Sequence, residues 1–211
     1  KNIYRMIYNV ITTIGIKLDE FIKGKLSVSD DTVIVSSLVD VKGNLNQDIE
    51  NKVSMFIINI EEEKIAKNAN ISANQGLNPP MKINVMVMFS AYFPNFNYIE
   101  ALRYISLVIE FFQNNNVFDS SNTPGLGASV NKVYAELFNV SIHEINDLWG
   151  NLGANYIPSI CFKFKQIVFD GDMISEDVPE VLGITKRSKS ILGDVAASTA
   201  TNIIQDEIND N

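Results

Sequence analysis

Catalysis needs a nucleophile with a base, a set of metal ligands or a cradle for phosphate, and the residue types for these are sparse here. The 211 residues include one histidine, His143, and one cysteine, Cys161. No second His or Cys stands at metal-ligand spacing from His143, so it reads as a surface position on a short helix. Cys161 alternates with Lys163 and Lys165 in a strand-like run that offers no base to make a thiolate. Burial in a sheet is its ordinary fate. Gly125 and Gly127 follow a proline, with no preceding strand and no Gly-Lys-Ser/Thr, and so fail as a phosphate loop. The triplet Glu61, Glu62 and Glu63 closes an apolar run. Neighbouring carboxylates on a strand point to opposite faces and do not form one metal site. The triplet therefore reads as a charged strand end that faces either solvent or the basic patch of a partner. Trp149, set among Gly150, Gly153, Tyr156 and Pro158, fits either a local core or an interface anchor. None of these residues is assigned a catalytic, cofactor-binding or metal-binding role, and the chain does not read as an enzyme.

The elements that would carry them follow from periodicity. Residues 81–116 are the clearest stretch. Ile83, Val85, Val87 and Phe89 recur at every second position and predict a strand with one strongly apolar face. After Pro94, the residues Tyr98, Ala101, Leu102, Ile105, Val108, Ile109 and Phe112 recur at steps of three and four, which predicts a helix buried along one side. A first helix is predicted over residues 3–22, with a stop at Lys23-Gly24-Lys25, and a strand over 32–39. Residues 53–60 are apolar on both faces and are expected at the centre of the sheet. A mobile loop is expected over 66–80 and a polar connection over 114–127. A strand is expected near 130–139, and then a short helix capped by Ser141 with Glu144 three positions on, ending at Gly150 and Gly153. The last strand is predicted over 159–169, with Ile167 on the same face as Cys161, Lys163 and Lys165. Residues 173–211 have no aromatic residue and carry seven acidic against three basic side chains, with Lys186, Arg187 and Lys189 in one cluster.

Composition narrows the function classes. Apolar residues make up 46% of the chain, enough for a real core. A net charge of -8 argues against nucleic acid and against an anionic membrane surface as partners. A single cysteine cannot form an intrachain disulfide. No run of residues is long and apolar enough to predict a membrane span, and the opening stretch lacks the apolar core of a targeting segment.

The ordered pieces resemble a known family. They are MIYNVITTIGIKLDEFI, NKVSMFIINIEEE, PPMKINVMVMFSAYFPNFNYIEALRYISLVIEFFQ and AELFNVSIHEINDLWGNLGANYIPSICFKFKQIVFD, which together cover most of residues 6–170. The sequence resembles the cap or tail-terminator proteins of contractile injection systems, of the antifeeding-prophage and Photorhabdus-virulence-cassette type. The resemblance implies an α/β (α+β) subunit, with a single mixed, mostly antiparallel sheet packed with helices as in phage tail terminators. It implies a hexameric ring of copies at the distal end of an inner tube and sheath, with the tube and sheath proteins as partners. It also implies assembly in the cytoplasm into a phage tail-like particle, without nucleic acid, cofactor or membrane insertion. The cap domain is expected over 1–172 and a tail or arm over 173–211 that contacts a neighbouring subunit or the sheath. Glu61, Glu62 and Glu63, Trp149, Tyr156 and Pro158, and Lys186, Arg187 and Lys189 are the expected structural or subunit-facing residues. The alternatives are an assembly adaptor or chaperone of the same particle and, from another class, a small hydrolase or nucleotide-binding domain. The last would need a glycine-rich loop directly after a strand, or a nucleophile with its base.

Overall fold

In the computed structural model the described residues are 6–40, 42–63, 81–94, 97–126, 130 and 132–169. Helix α1 (Met6–Leu26) buries Met6, Val10, Ile11, Ile14, Gly15, Leu18 and Ile22, the three-and-four spacing of a one-sided stripe. It runs four residues past the expected end at residue 22, straight through Lys23-Gly24-Lys25. Gly24 faces open space, and a glycine in an exposed helix costs only about 1 kcal/mol. Meanwhile Lys23 bridges Asp19 and Asp31. The helix ends instead at Ser27, which takes the left-handed conformation with φ 56°.

Strand β1 (Val33–Val35) is shorter than the expected 32–39. Beyond it the hydroxyl of Ser37 donates to the Val39 carbonyl, a local bond that competes with the ladder. Strands β2 (Lys52–Glu62) and β3 (Met81–Tyr92) follow, then α2 (Tyr98–Asn114), β4 (Val117–Asp119), β5 (Lys132–Leu137), α3 (Ile142–Leu152) and β6 (Ser159–Phe169). The six strands form one sheet in the order β1-β2-β3-β6-β5-β4. Only β1 and β2 are parallel; the other pairs are antiparallel. The sheet is therefore mixed and mostly antiparallel, as expected.

The centre of the sheet belongs to β3 and β6, which corrects the expectation for residues 53–60. Beyond Met55, β2 carries Asn59, Glu61 and Glu62 and lies toward the edge. β3 is buried on both faces, from Ile83 to Ala91, rather than on one. Val85, Val87, Phe89 and Ala91 meet α1 and α2, and Met86 and Met88 belong to a second cluster with Cys161. The face under α1 and α2 is aromatic. Phe112 lies 5.2 Å from Phe89, 4.2 Å from Phe162 and 5.9 Å from Phe164, centroid to centroid. Helix α3 covers part of the other face through Ile145, Leu148, Trp149 and Leu152.

Two details needed the structure. The connection expected to be merely polar contains β4 and a one-turn 3-10 helix (Pro124–Leu126), with Phe118 and Leu126 fully buried. That turn sits against α1 so closely that a side chain on Gly125 would meet Thr13 at 2.7 Å. The second detail lies in β6, whose bounds match expectation. Its register against β3 shifts between Ile83 and Val85, where Gln166 adopts φ 66°. This bulge inverts the alternation, so Ile167 is buried with Phe162 and Phe164 rather than with Cys161 and the lysines.

Candidate interaction surfaces

The acidic end of β2 is split by the pleat. Glu61 stands opposite Asn84 and Glu62 opposite Ile83, so the two side chains point to opposite faces. Glu61 is ion-paired with Lys163 across β3, with both side chains partly exposed. Glu62 is exposed. Glu63 closes the ladder by donating its N–H to the Lys82 carbonyl at 2.8 Å, and one of its carboxylate oxygens is buried with no partner among the described residues. Lys165 makes a second ion pair, with Glu136 of β5. A row of charge thus runs across the α3 side of the sheet, beyond the area that α3 covers. The sequence hint for this row was the alternation of Lys163 and Lys165 in β6.

The aromatic group is not a free anchor. Trp149 is 4% exposed and packs with Leu38 and Ile49, with Val39, Tyr92 and Ile157 around them. Its indole N–H has no partner among the described residues. Tyr156 is 59% exposed and meets Trp149 edge-on at 5.6 Å. Pro158 is buried, and its carbonyl accepts from the Ala91 N–H at 3.0 Å. The structure brings Trp149 and Tyr156 together, and it separates both from the glutamates. Ser141 caps α3 by accepting from the Glu144 N–H, and Glu144 accepts from the Ser141 N–H in return. Gly150 lies inside α3, and Gly153 alone ends it, at φ 66°. Lys186, Arg187 and Lys189 lie outside the described residues, as do the loop 66–80 and the tail from 173.

The remaining candidates for chemistry are unsuited to it. His143 is exposed on α3. Cys161 is buried, and burial pushes its thiol pKa up to about 12, away from nucleophilic character. Among the described residues no group of three or more His, Cys, Asp or Glu is placed to hold a metal ion. Among them, too, no helix is long and apolar enough to cross a membrane.

Asp19 had no sequence signal. Its carboxylate accepts from the Thr32 N–H and hydroxyl and from the Val33 N–H, which ties the middle of α1 to the start of β1. Burial pushes its pKa up, but the hydrogen bonds from Lys23, Thr32 and Val33 outweigh that and hold it below the ordinary value.

The sheet edges are the most open feature. β1 pairs with β2 only from Val53 to Met55, so among the described residues the outer edge of β2 is bare from residue 56 to 62. Ile57 and Ile60 stand opposite Val87 and Val85, which are fully buried, yet they are 38% and 49% exposed. At the far end, β4 pairs only with Lys132 to Tyr134 of β5, and Leu137 is 55% exposed.

Residues 9–182 match the family model described as the Pvc16 N-terminal domain. No curated protein matches the sequence. Among solved structures, the fold is similar to the PVC sheath/tube terminator of an extracellular contractile injection system in its extended state. That match has a TM-score of 0.53 and 15% identity, and covers 78% of this chain and 56% of that one. The tube-terminating cap of the anti-feeding prophage aligns with a TM-score of 0.45 and 13% identity, over 74% of this chain and 54% of the other. The chain thus spans little more than half the length of either.

Proposed function

The chain belongs to the Pvc16 N-terminal domain family, and from that premise we propose that it is a cap, or tail-terminator, subunit of a contractile, phage tail-like injection system. The observation that carries this reading is the family match over residues 9–182, most of the chain. The shared fold with a sheath/tube terminator is consistent with it.

In this reading copies of the chain close into a ring on the distal end of the inner tube and sheath. The ring occupies the surface on which the next layer of tube or sheath would grow, and it holds the sheath extended. Such a task asks for shape and repeated modest contacts rather than a catalytic centre, because the contacts of one subunit are multiplied around the ring. Two sheet edges that are bare among the described residues, at opposite ends of one sheet, suit a subunit with a different neighbour on each side.

The test is electron microscopy of particles from cells that lack the gene, beside wild type. Tubes and sheaths of uncontrolled length, or sheaths found only contracted, are the expected result. Particles of normal length that stay extended overturn the cap reading and leave an assembly adaptor as the better account.

A further inference from the structure

We propose that Glu61, Glu63 and Asn84 form a calcium-binding site on the α3 side of the sheet, where the β2–β3 ladder ends. The proposal stands apart from the cap reading and uses the residues of one chain.

The pleat separates Glu62 from its neighbours but keeps Glu61 and Glu63, two positions apart, on one face. Asn84 stands directly opposite Glu61, and Glu63 donates its N–H to the carbonyl of Lys82, two residues before Asn84. The three oxygen-bearing side chains are thus neighbours on that face, with Glu61 across from Asn84 and Glu63 diagonal to it. On its other side Asn84 meets the bulge of β6. The register passes there from Ile83–Ile167 to Val85–Phe164, so no β6 residue stands opposite Asn84.

Two buried oxygens at this place lack a donor. Asn84 is 6% exposed, and neither its Oδ1 nor Oε2 of Glu63 has a partner among the described residues. Buried acceptors in folded proteins are nearly always satisfied, and a carboxylate is the costliest of them to leave bare. The nearby cations do not satisfy these two. Lys163 pairs with Oε1 of Glu61, and Lys82, opposite Glu63, is exposed. Two carboxylates against one bound ammonium leave the site with negative charge in excess.

The chemistry of the donors selects the ion. All three are oxygens, which suits a hard cation rather than the metals that take nitrogen and sulfur. Three oxygens from two strands give an irregular set that calcium accepts, with water completing its shell, whereas magnesium holds to a near-ideal octahedron. The rival occupant is a basic side chain of a partner. Both unpartnered oxygens are closed to solvent, however, and a bare ion reaches them more readily than a guanidinium on its stem. With two acids and an amide, the set differs from the groups of three or more His, Cys, Asp or Glu that the described residues lack.

The experiment titrates the full-length chain with calcium chloride in a calorimeter and compares its melting temperature in calcium and in EDTA. A Kd of about 0.1–1 mM is expected, with a higher melting temperature in calcium. Glu63→Gln and Asn84→Leu each weaken binding about tenfold, while Asn84→Asp, which adds a carboxylate, tightens it. Glu62→Gln removes the same charge from the opposite face and leaves the Kd unchanged. Melting in EDTA shows that each variant folds. No heat of binding and no calcium-dependent melting at about 10 mM calcium overturns the proposal. So does an equal loss in Glu62→Gln and Glu63→Gln, because the ion is then held by the net charge of -8 rather than by a site. Binding of a triarginine peptide that Glu63→Gln abolishes, with no response to calcium, overturns it in favour of a basic partner. None of these outcomes bears on particle length or sheath state in the deletion strain, so this proposal and the cap reading fail separately.

Discussion

On the face of the sheet under α1 and α2, Phe89, Phe112, Phe162 and Phe164 join Val85, Val87 and the apolar stripe of α1 in one continuous cluster. On the opposite face the apolar residues fall into two smaller clusters around Trp149 and Cys161, and the remaining surface carries the Glu61–Lys163 and Glu136–Lys165 pairs. The first face is closed by edge-on and tilted ring contacts and dense aliphatic packing. The second is partly covered by one short helix whose start is fixed by a capping box. Among the described residues, the apolar packing is therefore concentrated on the face under α1 and α2.

The largest effect should come from the aromatic cluster. Phe112→Ala removes a ring that packs against five others, those of Phe89, Phe111, Phe118, Phe162 and Phe164, and a loss of about 3–5 kcal/mol in urea denaturation is expected. A loss below about 1 kcal/mol would show that the aromatic cluster is not where the stability of the fold is concentrated. The next effect tests the seam between α1 and the sheet edge. Asp19→Asn keeps the shape but weakens bonds to Thr32 and Val33, with an expected cost of about 1–3 kcal/mol. Because the folded pKa of Asp19 lies below its ordinary 3.8, its contribution is fully present above the unfolded value and is lost as pH falls through the folded one. The gap between wild type and Asp19→Asn should accordingly narrow as the pH of the denaturation series is taken from 6 toward 2.

Smaller effects belong to the second face. Trp149→Phe keeps an aromatic ring and removes an indole N–H that has no partner among the described residues, so a thermal melt should show a loss below about 1.5 kcal/mol. A much larger loss would mean that this N–H is bonded in solution. Glu61→Gln removes one partner of a partly exposed ion pair, and a change of about 0–1 kcal/mol is expected, shrinking in high salt. If it exceeds the Asp19 effect, the charged row is a stabilising element and the two faces are closer in kind than described.

Much of this division was legible in local pattern. The stripe from Val10 to Ile22, the period change at Pro94, the Ser141–Glu144 cap and the bounds of β6 are set by residues near one another in sequence, and the structure agrees with each. What failed depends on pairing between distant segments. Strand order put β3 rather than β2 at the centre because β6 returns to its far side, which nothing within residues 53–60 records. β4 is three residues in a polar stretch, and only its contacts with β5 and α1 make it a strand. For the candidate residues, the opposite facing of Glu61 and Glu62 followed from the pleat alone. The partner of Glu61, and the burial of Trp149 beside an exposed Tyr156, came from packing that single-residue types do not encode.

The bulge at Gln166 gives β6 a property that the other central strand does not show along the same length. A strand that alternates without interruption cannot lose a residue, because everything beyond the gap would turn inside out. In β6 one residue is already surplus to the ladder, exposed and in a conformation that few side chains favour. Deleting Gln166 would convert the bulge to regular pairing and leave Phe164 and Ile167 on the face they now occupy, whereas deleting Lys163 would turn one side of the strand over. Chain length is thus negotiable at a single point of the sheet interior. Soluble yield and melting temperature of the two deletions, compared side by side, should show that point as a tolerated gap.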